Sequence, residues 1–484
     1  MNYYLGVDIG TTSVKAVAFS TGGAVMGRHQ VSYSMQHPDP DRSELDPETI
    51  VRAVCGCINK TVVAMLPSLP SLVAFSSAMH SFMAVDATGW PLTGCMIWAD
   101  NRAAAIAEQL RNSVRGQAFY QATGVPIHAM TPLCKLLWLK EEQPAIFQEA
   151  SKFIGIKEYV FYRLFGEMVV DTSVASATGL LDSRTLEWSP EILDFLAISS
   201  SRLSKVVSPG YTLYYDGERV DPSVRLDLPI GMPVIAGSSD GASANLATGA
   251  TGNHVLAITI GTSGAARMVV HGVQTDDRMR TFCYHVRDNS YIVGGASNNG
   301  AVVIQWLKEA VLQTEEDFVQ LFALAATVKP GSEGLLFIPY ILGERAPVWN
   351  SKARGLYFGL GIGHTKAHLI RAAMEGVVYC LYSIGKVLTE NKEIRELHAT
   401  GGFARSPLWL QMVADIFNTK VLVFGEDESS ALGAVIIGLE ASGRPFSFEK
   451  QVLAVYEPDA CAHGNYLKGF EKFSRIYQLV KNEF

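Results

Sequence analysis

The chain has 484 residues, a formal net charge of −7, 48% hydrophobic and 18% charged residues. That is length for two or three domains, each with its own core. The mild acidic balance argues against broad binding to nucleic acid or to an anionic membrane surface, and the longest apolar run, near 431–439, is too short to span a bilayer. Met1-Asn2-Tyr3-Tyr4 has no basic stretch, so no secretory leader is expected. The 7 scattered cysteines read as reduced thiols of a cytoplasmic protein; a disulfide framework or a zinc site does not fit them.

In chain order, residues 3–32 predict three strands, joined by a turn at Gly10 and a hairpin at Thr21-Gly22-Gly23. A helix is expected over 48–65, a short buried strand over 72–75, and helices over 102–115, 132–142 and 155–165. Residues 206–232 are rich in Pro and Gly and lead into a strand at 233–237. Strands near 255–260, 265–270 and 291–294 come next, then helices over 301–312 and 368–389. The tail alternates: strand 395–400, helix 406–417, strand 420–424, helix 430–439. Alternation of this kind predicts an α/β fold in both halves. A boundary near 245 gives domains 1–245 and 246–484, packed together with a cleft between them.

One phrase occurs twice, about half a chain length apart. Leu5-Gly6-Val7-Asp8-Ile9-Gly10-Thr11-Thr12-Ser13 is echoed by Leu256-Ala257-Ile258-Thr259-Ile260-Gly261-Thr262-Ser263-Gly264. Each copy is an apolar strand, a Gly-hydroxyl turn and a second strand. Such a turn exposes backbone N–H groups with no bulky side chain over them, and can wrap a phosphate. Two copies suggest a nucleotide triphosphate held between similar domains.

Asp8, just before the first turn, can hold magnesium beside the phosphates or cap its own turn. Lys15 can add a point charge or be solvated. Asp240 follows an apolar strand in Gly237-Ser238-Ser239-Asp240-Gly241. It can accept a proton from a substrate hydroxyl, or serve as the N-cap of the next helix. Met79-His80 and Trp98-Ala99-Asp100-Asn101-Arg102 supply the flat apolar face and fixed donors and acceptors that polyol recognition needs. His80 and His128 lack metal-ligand spacing to each other. Gly401-Gly402, between a strand and a helix, would let the backbone approach an adenosine or form a plain turn. No Gly-x-x-x-x-Gly-Lys-Ser/Thr loop, Gly-x-Ser-x-Gly elbow or His-Arg-Asp loop is present.

Two long patterns resemble the signatures of the FGGY carbohydrate kinases, which are built on the actin-like, ribonuclease-H-like ATPase fold. The first runs from Met130-Thr131-Pro132-Leu133-Cys134-Lys135 through Trp138 to Glu142; the second runs from Gly355 to Leu360 and on through His368-Leu369 to Glu375. The resemblance covers essentially the whole chain. Ser77-Ala78-Met79-His80-Ser81, Pro126-Ile127-His128-Ala129-Met130, Asn298-Asn299-Gly300 and Gly343-Glu344-Arg345-Ala346-Pro347-Val348-Trp349 are similar to the gluconate-phosphorylating branch. Xylulose-phosphorylating members usually carry Gly where Ser81 stands, and the Gly-Arg-Glu phrase of the glycerol-phosphorylating branch is absent.

The resemblance implies two actin-like domains with a cleft, Asp240 as catalytic base and Asp8 as the magnesium-side carboxylate. It implies phosphate contacts from Gly10, Thr11, Thr12, Ser13, Lys15, Gly261 and Thr262. It places Gly300, Gln305, Gly401, Gly402 and Ser406 at the nucleotide, although Ser406 stands where many members carry Asn. The substrate set is Met79, His80, Trp98, Asp100, Asn101, Arg102, His128, Asp240 and Arg345. A carboxylate on the substrate can meet Arg102, His80, His128 or Arg345, and Arg345 can instead pair with Glu344. The implied reaction is ATP- and Mg²⁺-dependent phosphorylation of the terminal hydroxyl of a small sugar acid, D-gluconate foremost, in the cytoplasm. Xylulose or another pentulose stays open as the acceptor. So does a non-catalytic sugar-sensing or assembly role, and a homodimer by analogy.

Overall fold

A computed structural model describes every residue except Met1, 218–223, 253, 391, 426–427 and 445–450. The first half builds a six-stranded sheet from β1 (Tyr3–Ile9), β2 (Ser13–Phe19), β3 (Val25–Ser32), β4 (Pro70–Ser77), β5 (Thr212–Tyr215) and β6 (Met232–Ser239), in the order β5-β6-β4-β1-β2-β3. Strands β1, β2 and β3 pair antiparallel, β4 lies parallel to β1, and β6 parallel to β4. The second half builds a seven-stranded sheet from β7 (Val255–Ile260), β8 (Gly264–His271), β9 (Phe282–Arg287), β10 (Ser290–Ser297), β11 (Glu396–Thr400), β12 (Val421–Phe424) and β13 (Val452–Tyr456). Their order is β9-β10-β8-β7-β11-β12-β13. An antiparallel β7-β8-β10 meander runs on one side of β7, and β11 and β12 lie parallel on the other. Without its extra edge strand β9, the second sheet repeats the topology of the first. The duplicated phrase therefore marks equivalent places in two equivalent sheets.

Local chemistry explains most elements. Asp46 caps the helix Pro47–Met65 by accepting from the Glu48 and Thr49 N–H groups, and a proline supplies the first turn. Thr131 and Pro132 do the same for Pro132–Glu142. The helix expected over 102–115 is instead two, Ala104–Arg111 and Val114–Thr123. Ser113 interrupts it, because its Oγ accepts from Gly116 N at 3.0 Å and starts a new helix. The helix expected over 301–312 changes winding: Val302–Trp306 is α-helical and Leu307–Leu312 continues as π-helix.

The helices Asp240–Ala247 and Ser429–Ala441 cross between the sheets. A Cβ on Gly433 would lie 1.9 Å from Ser243 O, and one on Gly6 would lie 2.4 Å from Ala431 O. Glycine at these two places lets a helix from late in the chain rest directly on β1 and on the helix that begins with Asp240. The apolar residues of that late helix, Leu432, Val435 and Leu439 among them, share one core with Val17, Leu72 and Ile235 of the first sheet. The two halves are thus joined by packed backbone. No described helix is long and apolar enough to cross a membrane.

Candidate active site

Both Gly-hydroxyl turns stand at strand ends facing the space between the sheets. In the first, Gly10 N donates to Ser13 O at 3.0 Å; in the second, Gly261 N donates to Ser263 O at 2.9 Å. No atom lies within 4 Å of a Cβ built on Gly261, so the second turn opens on free space. Thr11 faces a cavity described below, Thr12 is exposed at the tip, and Ser13 begins β2. Gly300 has a different task from the expected nucleotide contact. Its N–H donates to Thr262 O at 3.1 Å, and a Cβ there would lie 2.5 Å from Ser263 O. Gly300 lets its loop lie flat behind the turn.

A cavity of about 550 Å³ opens on the other side of the second turn. Thr262, Gln305, Gly402 and Ser406 line it together, as the sequence suggested, beside Phe318 and Phe322. Gly402 has open space where a side chain would be, whereas Gly401, at φ 93°, is held against Ile260 O, 2.7 Å from its notional Cβ. Gly401 shapes the turn and Gly402 offers its bare backbone to the cavity. Ser406 also caps the helix Pro407–Phe417 by accepting from Trp409 N at 3.3 Å.

The second cavity, about 260 Å³, takes its walls from both halves: Thr11, Met79, His80, Trp98 and Asp240 on one side, Ser263, Arg267, Tyr284 and Arg345 on the other. The N-cap of Asp240–Ala247 is Ser239, whose Oγ accepts from Ala242 N at 3.4 Å. Asp240 is thereby released from capping and lines the cavity. One of its oxygens accepts from Gly241 N at 2.7 Å. Burial raises its carboxyl above the usual range while the nearby Arg267 opposes the rise. Asp8 accepts from Ser76 Oγ at 2.7 Å. Its carboxyl is raised from 3.8 to about 6, first by burial and then by the charge of Asp240.

The remaining side chains are held in fixed poses. Trp98 Nε1 donates to Thr11 Oγ1 at 3.0 Å, tying the indole to the first turn. The Arg345 guanidinium lies over the Trp98 ring, 4.8 Å from its centroid. His80 has φ 67°, a left-handed conformation that a non-glycine residue adopts only under constraint. The constraint is Lys135, fully buried, whose ammonium donates to His80 O and to Ile97 O at 2.7 Å each. One cation therefore positions both the His80 and the Trp98 segments. Burial, then Lys135 and Arg345, pushes the His80 imidazole down to about 3, so it is neutral at ordinary pH.

Five expected contacts lie elsewhere. Asp100 and Arg102 form a buried ion pair at 2.7 Å, joined by Glu44, with Asp100 also accepting from Ser43 N at 2.8 Å. Both are occupied in holding the loop. Asn101 and His128 line a separate cavity of about 710 Å³ that shares Trp349 with the 260 Å³ one. His128 Nδ1 already accepts from Met130 N at 3.2 Å. Lys15 is opposite Asp8 in register, and its ammonium reaches across the halves to Glu428 at 3.1 Å, a carboxylate it shares with Arg28 at 2.8 Å. Ser263, Arg267, Tyr284 and Trp349 line the 260 Å³ cavity without having been expected there. Arg267 was detectable as the one charge in the apolar run after the second turn. Tyr284 lies on β9, an apolar stretch for which no strand was expected.

The raised Asp8 carboxyl has a consequence for stability. The folded chain holds that proton more tightly than the unfolded chain, so ligand-free stability falls as pH rises from about 4 to about 6. Asp8→Asn removes the penalty. Its melting temperature in chelator should exceed the parent's near neutral pH, and the gain should vanish below about pH 4. Equal gains at both pH values would contradict the assignment.

Two sheets of one topology, each offering a phosphate-type turn to a shared cleft, define a two-domain α/β fold of the actin-like ATPase kind. Residues 3–247 match the N-terminal domain of the FGGY family of carbohydrate kinases, and residues 256–442 match its C-terminal domain. The chain belongs to that family, whose members use ATP as phosphoryl donor. It is 42% identical over 459 residues to a protein named gluconokinase from Bacillus licheniformis, covering 93% of this chain and 89% of the relative. A crystal structure of gluconate kinase from Lactobacillus acidophilus superposes with a TM-score of 0.94 at 32% identity, covering 99% of this chain and 98% of the other. A ligand-bound xylulose kinase structure from the same organism gives the same score and identity, covering 99% of each chain.

Proposed function

We propose that the chain transfers the γ-phosphoryl group of ATP to the terminal hydroxyl of D-gluconate, forming 6-phospho-D-gluconate and ADP. One observation carries the reading. The second turn faces two cavities at once: Thr262 lines the 550 Å³ cavity, and its neighbour Ser263 lines the 260 Å³ cavity that holds Asp240. A nucleotide seated in the first would pass its phosphates along the turn and present the last one to an acceptor beside Asp240. Relatives named for gluconate and the two arginines of the smaller cavity favour an acidic acceptor.

Phosphoryl transfer needs in-line placement and neutralised oxygens more than covalent help. Asp240 would orient the hydroxyl and accept its proton as the new P–O bond forms. Backbone N–H groups of the Gly10 and Gly261 turns would spread the charge on the moving phosphoryl. Crossing of the packed helices behind Asp240 would keep water out when the cleft closes. Among the described residues no cluster of three or more His, Cys, Asp or Glu can bind a metal alone. Asp8, a half-buried carboxylate with no ion pair among the described residues, suits an ion that takes most of its ligands from phosphate and water, as Mg²⁺ does. When bound, Mg²⁺ neutralises the β- and γ-phosphate oxygens. Seven free cysteines fit a reducing cytoplasm.

The test is ADP release measured over a panel of sugars and sugar acids. D-gluconate should give the highest kcat/KM, well ahead of D-xylulose. Faster turnover of xylulose would assign the chain to the other substrate.

A further inference from the structure

Three residues that line the small cavity each carry a buried polar atom with no hydrogen-bond partner: His80 Nδ1, Tyr284 Oη and Arg345 Nε. Buried groups of this kind are normally satisfied, and several gathered around one cavity mark the place of a missing partner. Arg345 is the most exacting of them. Its guanidinium donates to Ser297 O at 3.2 Å, stacks on Trp98 and meets no carboxylate. The adjacent acid, Glu344, is fully engaged. It accepts from Ser297 Oγ at 2.6 Å, Asn298 N at 3.0 Å, Asn299 Nδ2 at 3.2 Å and the Arg345 backbone N at 2.7 Å. The Glu344 charge is felt by Arg345, but no carboxylate hydrogen-bonds its guanidinium, and those free donors suit an anionic ligand.

We infer that Arg345 and the Tyr284 hydroxyl together bind the carboxylate of the acceptor, and that this pair selects sugar acids over neutral sugars. The inference rests on the proposed sugar-acid kinase reading and names the residues behind it. A guanidinium and a phenol are both donors to a carboxylate, and a planar fork suits its two oxygens. His80 beside them is a neutral imidazole that can serve a hydroxyl. Tyr284 is held by stacking on Phe282, with ring centroids 4.3 Å apart, and by an edge contact with His80 at 5.8 Å. Arg267 is the cation beside Asp240, whereas Arg345 stacks over Trp98 and is felt by Tyr284. The substrate would therefore span the cavity, its terminal hydroxyl at Asp240 and its carboxylate at Arg345. The other candidates are excluded by their existing bonds, Arg102 to Asp100 and Glu44, and His128 to Met130 N.

The test compares D-gluconate with D-glucitol, which has the same carbon chain with CH₂OH in place of the carboxylate. Arg345→Met should raise the KM for gluconate by roughly 100-fold, the loss expected when a buried charge-assisted contact is truncated. The KM for ATP should change by less than about threefold, and the kcat/KM preference for gluconate over glucitol should collapse by a similar factor of roughly 100. Arg345→Lys should recover part of the preference. Tyr284→Phe adds no volume and should raise the gluconate KM by roughly tenfold with kcat kept. If Arg345→Met fails to fold, Tyr284→Phe decides. Gluconate turnover by the parent with an unchanged gluconate KM in the variants would overturn the inference alone. A parent that phosphorylates xylulose and ignores gluconate would overturn the functional reading beneath it.

Discussion

Asp240→Asn is expected to bind both ligands and to lose at least ~10² in kcat, the usual worth of a positioned general base. The exchange preserves shape and keeps the hydrogen bond from Gly241 N. It also leaves the helix start intact, because Ser239 is the cap. If Asp240 were only a capping residue, turnover and stability would both stay normal, because Asn caps a helix as well as Asp does. The two roles therefore differ in kcat. Steady-state kinetics with gluconate and ATP, paired with a thermal melt, separates them. Removing the carboxylate takes away a charge that burial disfavours, but leaves Arg267 without its near acid. The melting temperature should therefore move little in either direction while kcat collapses. Near-normal kcat would remove Asp240 from the chemistry.

The duplicated phrase was the most legible part of the fold because it is local. Alternating apolar residues, a glycine and a hydroxyl suffice to predict strand, turn and strand, and the structure places both copies at equivalent sheet positions. That Thr262, Gln305, Gly402 and Ser406 would line one cavity was legible from the turns and the family resemblance together. Residues whose role depends on distant partners were not legible. Trp98 to Arg102 contains the residue types a polyol site needs, yet Asp100 and Arg102 are held by Glu44 and Ser43 far earlier in the chain. Lys15 faces the same side as Asp8, but it is drawn to Glu428, a carboxylate shared with Arg28 that only the folded chain brings near. Arg345 and Glu344 are adjacent and opposite in charge, so sequence invites a pair that four other hydrogen bonds to Glu344 prevent. The strands β9 and β13, neither of them expected, lie at the two edges of their sheet although both are apolar, β9 buried along most of its length and β13 partly exposed.

Lys157→Met should destabilise the fold by about 3–5 kcal/mol, the range for removing one member of a buried ion pair. Lys157 Nζ lies 2.7 Å from Asp171 Oδ2, with side chains 4% and 0% exposed. The same ammonium donates to Ser238 O at 3.3 Å, one residue before the cap that frees Asp240. Asp171 in turn accepts from Val174 N at 3.0 Å, and Ser173 Oγ accepts from Ser239 N at 3.2 Å. The ion pair therefore underlies the loop that aims Asp240. Methionine fills the volume but leaves the Asp171 carboxylate buried without a cation, which is the costly half of the exchange. The double variant Lys157→Met, Asp171→Leu removes both charges and should recover much of the lost stability, measured by denaturant melts. Its kcat should stay depressed, because the hydrogen bonds that fix Ser238 and the 171–174 turn are gone. Recovery of stability without recovery of kcat would show that the pair's value lies in aiming the catalytic carboxylate; full recovery of both would show that the loop holds its geometry without it.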